Sequence, residues 1–155
     1  MGDADAAIRQ AMRTRASDGP EIVLLPHGDG SEAKASAEKD VTAALAKLAE
    51  AHAVYIAASA YVIVDGEKPP RTIGLVVGPR GETLTRTSKV MPDVVEGYTD
   101  TSADTFRQAS FQVAQTPLGQ LGVLCGEDIL APHIVRTMLV SGAEIILNPT
   151  RERSD

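Results

Sequence analysis

LGVLCGEDILAPHIVR (121–136) sets the fold, because it passes from strand to helix at a single chemically distinctive residue. The apolar run 121–124 has the composition of a buried strand and ends in the chain's one cysteine, Cys125, with Gly126, Glu127 and Asp128 directly after it. A helix follows over 131–141, with Pro132 in its first turn, apolar residues at Ile134, Val135, Met138 and Leu139, and Gly142 just past its end. The run Ile145-Ile146-Leu147 then reads as a second buried strand. Upstream, 111–116 and 120–124 flank Pro117-Leu118-Gly119 as a hairpin whose second arm delivers Cys125. A thiol at a strand end, beside a glycine whose backbone N–H is unshielded, is where an acyl-transfer nucleophile would stand. Alone, such a cysteine is as readily a small buried hydrophobe, so its neighbours decide.

Toward the amino terminus the same alternation of strand and helix appears. A polar helix over 3–15 is separated by Asp18-Gly19-Pro20 from the apolar strand 22–25. Over 31–51, Ala37, Val41, Ala44, Leu45 and Leu48 recur at helical spacing and predict an amphipathic helix covering that strand. Residues 54–59 read as a buried strand continuing through 61–64 to a turn at Asp65-Gly66. Beyond Pro69-Pro70, the runs 73–77 and 83–89 flank Gly78-Pro79-Arg80-Gly81 and predict a hairpin. Without repeats or linkers, 1–155 is expected to form a single α/β domain of mixed sheet, hairpins and flanking helices.

Composition limits the function classes. The 155 residues are 43% hydrophobic and 23% charged, ordinary globular proportions with length enough for one core. A net charge of -6, without a local cluster of Lys and Arg, argues against nucleic acid and anionic membrane as partners. One cysteine excludes an internal disulfide, and MGDADAAIRQ (1–10) carries acids where a signal peptide needs bases and an apolar run. The expectation is a cytoplasmic protein.

Three segments stand out together: LLPHGDG (24–30), SKVMPDVVEGY (88–98) and LGVLCGED (121–128), with VVGPRGETL (76–84) before them and GAEIILNPT (142–150) after. In order and content they resemble the carbon–nitrogen hydrolase (nitrilase) superfamily, and SKVMPDVVEGY is most similar to its aliphatic amidase branch. The resemblance spans nearly the whole chain and implies a partial α-β-β-α sandwich. It also implies hydrolysis of a non-peptide carbon–nitrogen bond in a small amide through a cysteine thioester, without metal or organic cofactor.

Carried over by position, Cys125 matches the family's nucleophile and Lys89 the lysine that stabilises the tetrahedral oxyanion, helped by the Gly126 N–H. Glu96 matches the glutamate placed near that lysine. At the base the chain departs from the family. The first strand should end in Pro-Glu, whereas here Pro26 is followed by His27, which is either a loop residue or an imidazole base paired with the thiol. Glu127 and Asp128 are read as pocket-lining or helix-capping acids, with a base role as the alternative, for which Asp29 is a further candidate.

Length is a second departure: family members approach twice this size, so a fragment, a degenerate copy or one part of a larger assembly is expected. Association with another chain or with copies of itself follows from uncovered sheet, and the alternative function is a catalytically impaired module acting through such association. Two rival motifs are weaker. Gly28-Asp29-Gly30-Ser31-Glu32-Ala33 fits a dinucleotide-type turn but sets Asp29 and Glu32 where a pyrophosphate would lie. His27, Asp29, His52 and His133 lack metal-ligand spacing, and no metal ligands are assigned.

Overall fold

The computed structural model describes residues 6, 9, 21–25, 36–64, 71–91 and 110–150. Residues 6 and 9, within the helix predicted over 3–15, are both helical. Two sheets form the centre. The first holds β1 (Ile22–Leu25), β2 (Ser36–Ala37), β3 (Tyr55–Ile63), β4 (Arg71–Val77) and β5 (Thr83–Ser88). Its order is β1-β3-β4-β5, with β2 pairing off that path against the far end of β3. β1 and β2 run parallel to β3, while β3, β4 and β5 are antiparallel neighbours. The second sheet is β6 (Ala114–Thr116), β7 (Gly119–Val123) and β8 (Ile145–Leu147), with β6 and β7 antiparallel and β7 and β8 parallel.

Among the described residues, each sheet carries a helix on its outer face. α1 (Glu38–His52) packs Leu45 and Ala49 onto Ile56, Ala58, Val62, Ile73, Leu75 and Val77, the residues that β3 and β4 turn to one side. The intervening residues Ala57 and Val76 face the other way and meet Ala114, Leu121, Val123 and Leu147 of the second sheet. α2 (Pro132–Val140) closes that sheet from outside, with Ile134 and Met138 against Leu124 and Ala143. The order is therefore helix, sheet, sheet, helix, as the family resemblance implies. Fully burying one such aliphatic side chain contributes about 1.5–3 kcal/mol, and the three clusters supply that repeatedly.

Two boundaries differ from the sequence reading. The helix predicted from residue 31 begins at Glu38, because Ser36 and Ala37 pair with Val62 and Ile63 as a short parallel strand. A pairing across that distance leaves no local pattern to read. The arm predicted over 111–116 is a strand only over 114–116, and Gly119, at φ +120°, already belongs to β7.

The β4–β5 hairpin contains an irregularity that matters for the site. Val76 pairs with Thr85 and Val77 with Thr83, so Leu84 is an extra residue on β5. Strict alternation would set Leu84 and Lys89 on opposite faces. With the bulge, Leu84 packs into the core between the sheets, and Thr85, Thr87 and Lys89 also turn that way. Arg86 points to the opposite side, where it pairs with Glu38 in the first turn of α1.

Candidate active site

Cys125 continues β7 in extended conformation, φ -116° and ψ 114°, and shares its direction with Val123, so its side chain enters the space between the sheets. It is fully buried and forms no disulfide. Room for it comes from Gly74 on β4. A Cβ at that position would stand 2.9 Å from Val123 Cγ2 and 3.0 Å from Cys125 Sγ. Gly74 lies between Ser59 and Thr87 in the cross-strand register, and the sulfur directs its proton toward the Thr87 carbonyl at 4.0 Å. Sequence reasoning passed over Gly74 as part of an apolar run. A glycine inside a strand is itself the signal of a close approach.

After Cys125 the chain turns sharply. Gly126 adopts φ +53°, a left-handed conformation that costs a residue with a side chain about 1–2 kcal/mol. It opens a 3-10 turn, Gly126–Leu130. Asn148, just beyond β8, donates from Nδ2 to the Gly126 carbonyl at 3.2 Å.

Lys89 reaches this turn from the first sheet. Its backbone N–H donates to the Thr72 carbonyl at 2.9 Å, extending the β4–β5 ladder by one step. Its side chain is 7% exposed, and Nζ stands 3.9 Å from where a Cβ on Gly126 would lie and 3.0 Å from Glu127 Oε2. Of the residues expected at the site, Cys125, Gly126, Glu127 and Lys89 thus meet at one turn. Glu127, the most exposed of the four, contacts the lysine ammonium.

Asp128 departs from the capping role. The N-caps of the 3-10 turn and of α2 are Cys125 and Ala131, neither with a side-chain cap, and the Asp128 carboxylate is used elsewhere. Oδ2 accepts the Val90 N–H at 2.9 Å and Oδ1 accepts the Met91 N–H at 2.7 Å. Burial pushes its pKa up to about 6, against the two amide hydrogen bonds and the Lys89 charge, which favour the ionised form.

His27, Asp29 and Glu96 lie outside the described residues, as does the glycine motif 28–33. His52 sits in the last turn of α1 and His133 on α2, helices on opposite outer faces of the sheet pair. Among the described residues no group of three His, Cys, Asp or Glu side chains is placed to hold a metal. No helix among them is long and apolar enough to cross a membrane. Two buried oxygens among them have no hydrogen-bond partner, Thr87 Oγ1 and Asn148 Oδ1. The first belongs to the residue whose carbonyl faces the sulfur, and the second to the side chain that holds Gly126.

Residues 4–155 match the carbon-nitrogen hydrolase family. A comparison with curated protein sequences finds no match. Among solved structures, a cysteine-to-alanine mutant of the Nesterenkonia AN1 amidase, of the nitrilase superfamily, superposes with a TM-score of 0.76 at 21% identity over 99% of this chain and 59% of that one. A glutamate-to-glutamine mutant of the same amidase shows Michael addition of acrylamide at its active-site cysteine, with a TM-score of 0.74 at 22% identity over 95% and 58%. A carbon-nitrogen hydrolase from Helicobacter pylori G27 gives 0.72 at 18% identity over 96% and 54%. The chain thus spans less than three fifths of each of these proteins.

Proposed function

The chain belongs to the carbon-nitrogen hydrolase family, and from that premise we propose that it hydrolyses a small carboxamide through a thioester on Cys125. The observation that carries this reading is the meeting of a buried thiol, a left-handed glycine and a nearly buried lysine ammonium at one turn. In the proposed reaction the Cys125 sulfur attacks the amide carbon, and the oxygen of the tetrahedral intermediate takes hydrogen bonds from Lys89 Nζ and the Gly126 N–H. The thiol proton leaves with ammonia as the carbon–nitrogen bond breaks. Water then attacks the thioester carbon, releasing the carboxylic acid and restoring the thiol.

A lysine withdrawn from water interacts more strongly with developing negative charge, which favours this role for Lys89. The unpartnered oxygens of Thr87 and Asn148 supply hydrogen-bonding capacity for a polar substrate. We assign the proton transfers to His27, which occupies the sequence position of the family's base, and a supporting role beside Lys89 to Glu96. A glutamate-to-glutamine mutant of the Nesterenkonia amidase, whose active-site cysteine takes up acrylamide and the acetamide moiety of fluoroacetamide, makes short aliphatic amides the first substrates to try.

The second reading, a module that keeps the fold without turnover and acts through association with another chain, is favoured by His27 standing where the family has glutamate. Ammonia release from short aliphatic amides separates the two. Turnover that disappears in Cys125→Ala, with an acyl increment on the intact mass of the native protein, is the expected result. Equal ammonia release from both proteins would overturn the thioester. Silence from the native protein, with gain of activity in His27→Glu, would establish the impaired module.

A further inference from the structure

We infer that Asp128 is a positioning residue for Lys89: its carboxylate ties the end of β5 to the turn after Cys125 and thereby sets where the lysine ammonium stands. This rests on the proposed role of Lys89 at the thiol.

The two carboxylate oxygens take one backbone N–H each, at 2.9 Å from Val90 and 2.7 Å from Met91, the two residues that follow Lys89. The Lys89 N–H is itself bonded into the sheet through Thr72. Its backbone is thus fixed on both sides, by the ladder before it and by one carboxylate after it. That carboxylate stands three residues beyond Cys125, on a turn whose own N–H returns to the Cys125 carbonyl at 3.2 Å. Any shift of the β5 end relative to Cys125 must stretch these bonds. Glu127 and Asp128 accordingly divide the work: Glu127 touches the ammonium, and Asp128 holds the backbone that carries it.

An acid kept fully buried to accept two amide protons bears a desolvation cost, and a neutral side chain could not accept both with the same strength. The charged groups facing it among the described residues are Lys89, from the end of β5, and Glu127, from its own turn. Protonation converts one acceptor oxygen into a hydroxyl donor and releases one of the two amides. The lysine's placement therefore loosens as pH falls through about 6.

The test is the rate at which iodoacetamide alkylates Cys125 in the full chain as a function of pH, read by intact mass for the native protein, Lys89→Met, Asp128→Asn and the double variant. Only the thiolate reacts, and a nearby ammonium lowers its pKa. Lys89→Met should move the thiol inflection to higher pH and slow labelling at pH 7, by about tenfold for every tenfold loss of thiolate. Asp128→Asn should reproduce most of that change, and the double variant should show no more than Lys89→Met alone. A native inflection in Asp128→Asn beside a displaced one in Lys89→Met overturns the clamp and leaves the chemistry standing. A native inflection in Lys89→Met removes the lysine from the site and overturns both.

Should Asp128→Asn not fold, the native protein still decides by its amide resonances. Those of Val90 and Met91 should be strongly protected from hydrogen exchange at about pH 7.5, and exchange at the rate of a free amide would refute the clamp.

Discussion

The two faces of the β3–β4–β5 sheet are built from alternate residues of the same strands, yet they carry different duties. Toward α1 the strands present Ile56, Ala58, Val62, Ile73, Leu75 and Val77, a continuous apolar surface sealed by Leu45 and Ala49. Toward the second sheet the surface changes character along its length. It begins apolar, with Ala57, Val76 and Leu84 against Leu121, Val123 and Leu147, and becomes polar at Ser59, Gly74, Thr87 and Lys89. On the proposed function, stability and chemistry are separated by side-chain direction and not by region of sequence, so neighbouring substitutions should have unlike consequences.

The sharpest contrast is in function. Cys125→Ala should abolish ammonia release with little change in melting temperature, and Lys89→Met should cost more than about two orders of magnitude in kcat, the loss typical of one oxyanion donor. Persistent turnover in the first variant would end the distinction between the faces. On the α1 side, Leu75→Ala should cost about 2–5 kcal/mol in denaturant unfolding while leaving the alkylation profile of Cys125 in place. A displaced thiol inflection there would mean that the faces are coupled.

The pH dependence of stability sharpens the comparison further, because the acid with a raised pKa belongs to the chemical side. Asp128 binds its proton more tightly in the folded chain, about 6 against an ordinary 3.8. Its contribution is therefore greatest when it is protonated, and it is lost as pH rises through the folded value. A difference of that size between folded and unfolded chain corresponds to a loss on the order of 3 kcal/mol between roughly pH 4 and 7. Melting temperatures of the native protein and Asp128→Asn should diverge over that window, with the native protein falling relative to the variant. Parallel curves would show that the carboxyl keeps its ordinary pKa.

Gly74→Ala, one residue from Leu75, should cost about 1–3 kcal/mol through overpacking against Val123 and should change the labelling rate of Cys125 as well. A labelling rate equal to that of the native protein would show that the sulfur has other room. The smallest effect belongs to Ala53, the C-cap of α1, held at φ 50°. Ala53→Gly should stabilise by about 1 kcal/mol and leave the site untouched. Urea midpoints would measure it.

What could be read from the sequence follows the range of the interactions involved. α2 and β8 were legible because Pro132, Gly142 and the apolar spacing between them act within a few residues. The meeting of Lys89 with Cys125 and Gly126 was legible only through likeness to a family, since nothing local marks one lysine among the rest. Asp128 misled because an acid before a helix fits a cap, whereas its partners lie 37 and 38 residues away. Gly74 was legible in principle as a glycine within a strand, and β2 was not, because two residues form no pattern.

The bulge at Leu84 has a consequence for how this hairpin can vary. Because one supernumerary residue lets Leu84 and Lys89 look the same way, the length of chain between them is fixed modulo two. A single deletion there would turn the lysine outward to α1 or leave Leu84 without its core. The loop Gly78-Pro79-Arg80-Gly81 lies on the far side of the bulge and can change length without altering that parity. Insertions and deletions in this hairpin should therefore survive selection at the turn and be purged over residues 84–89.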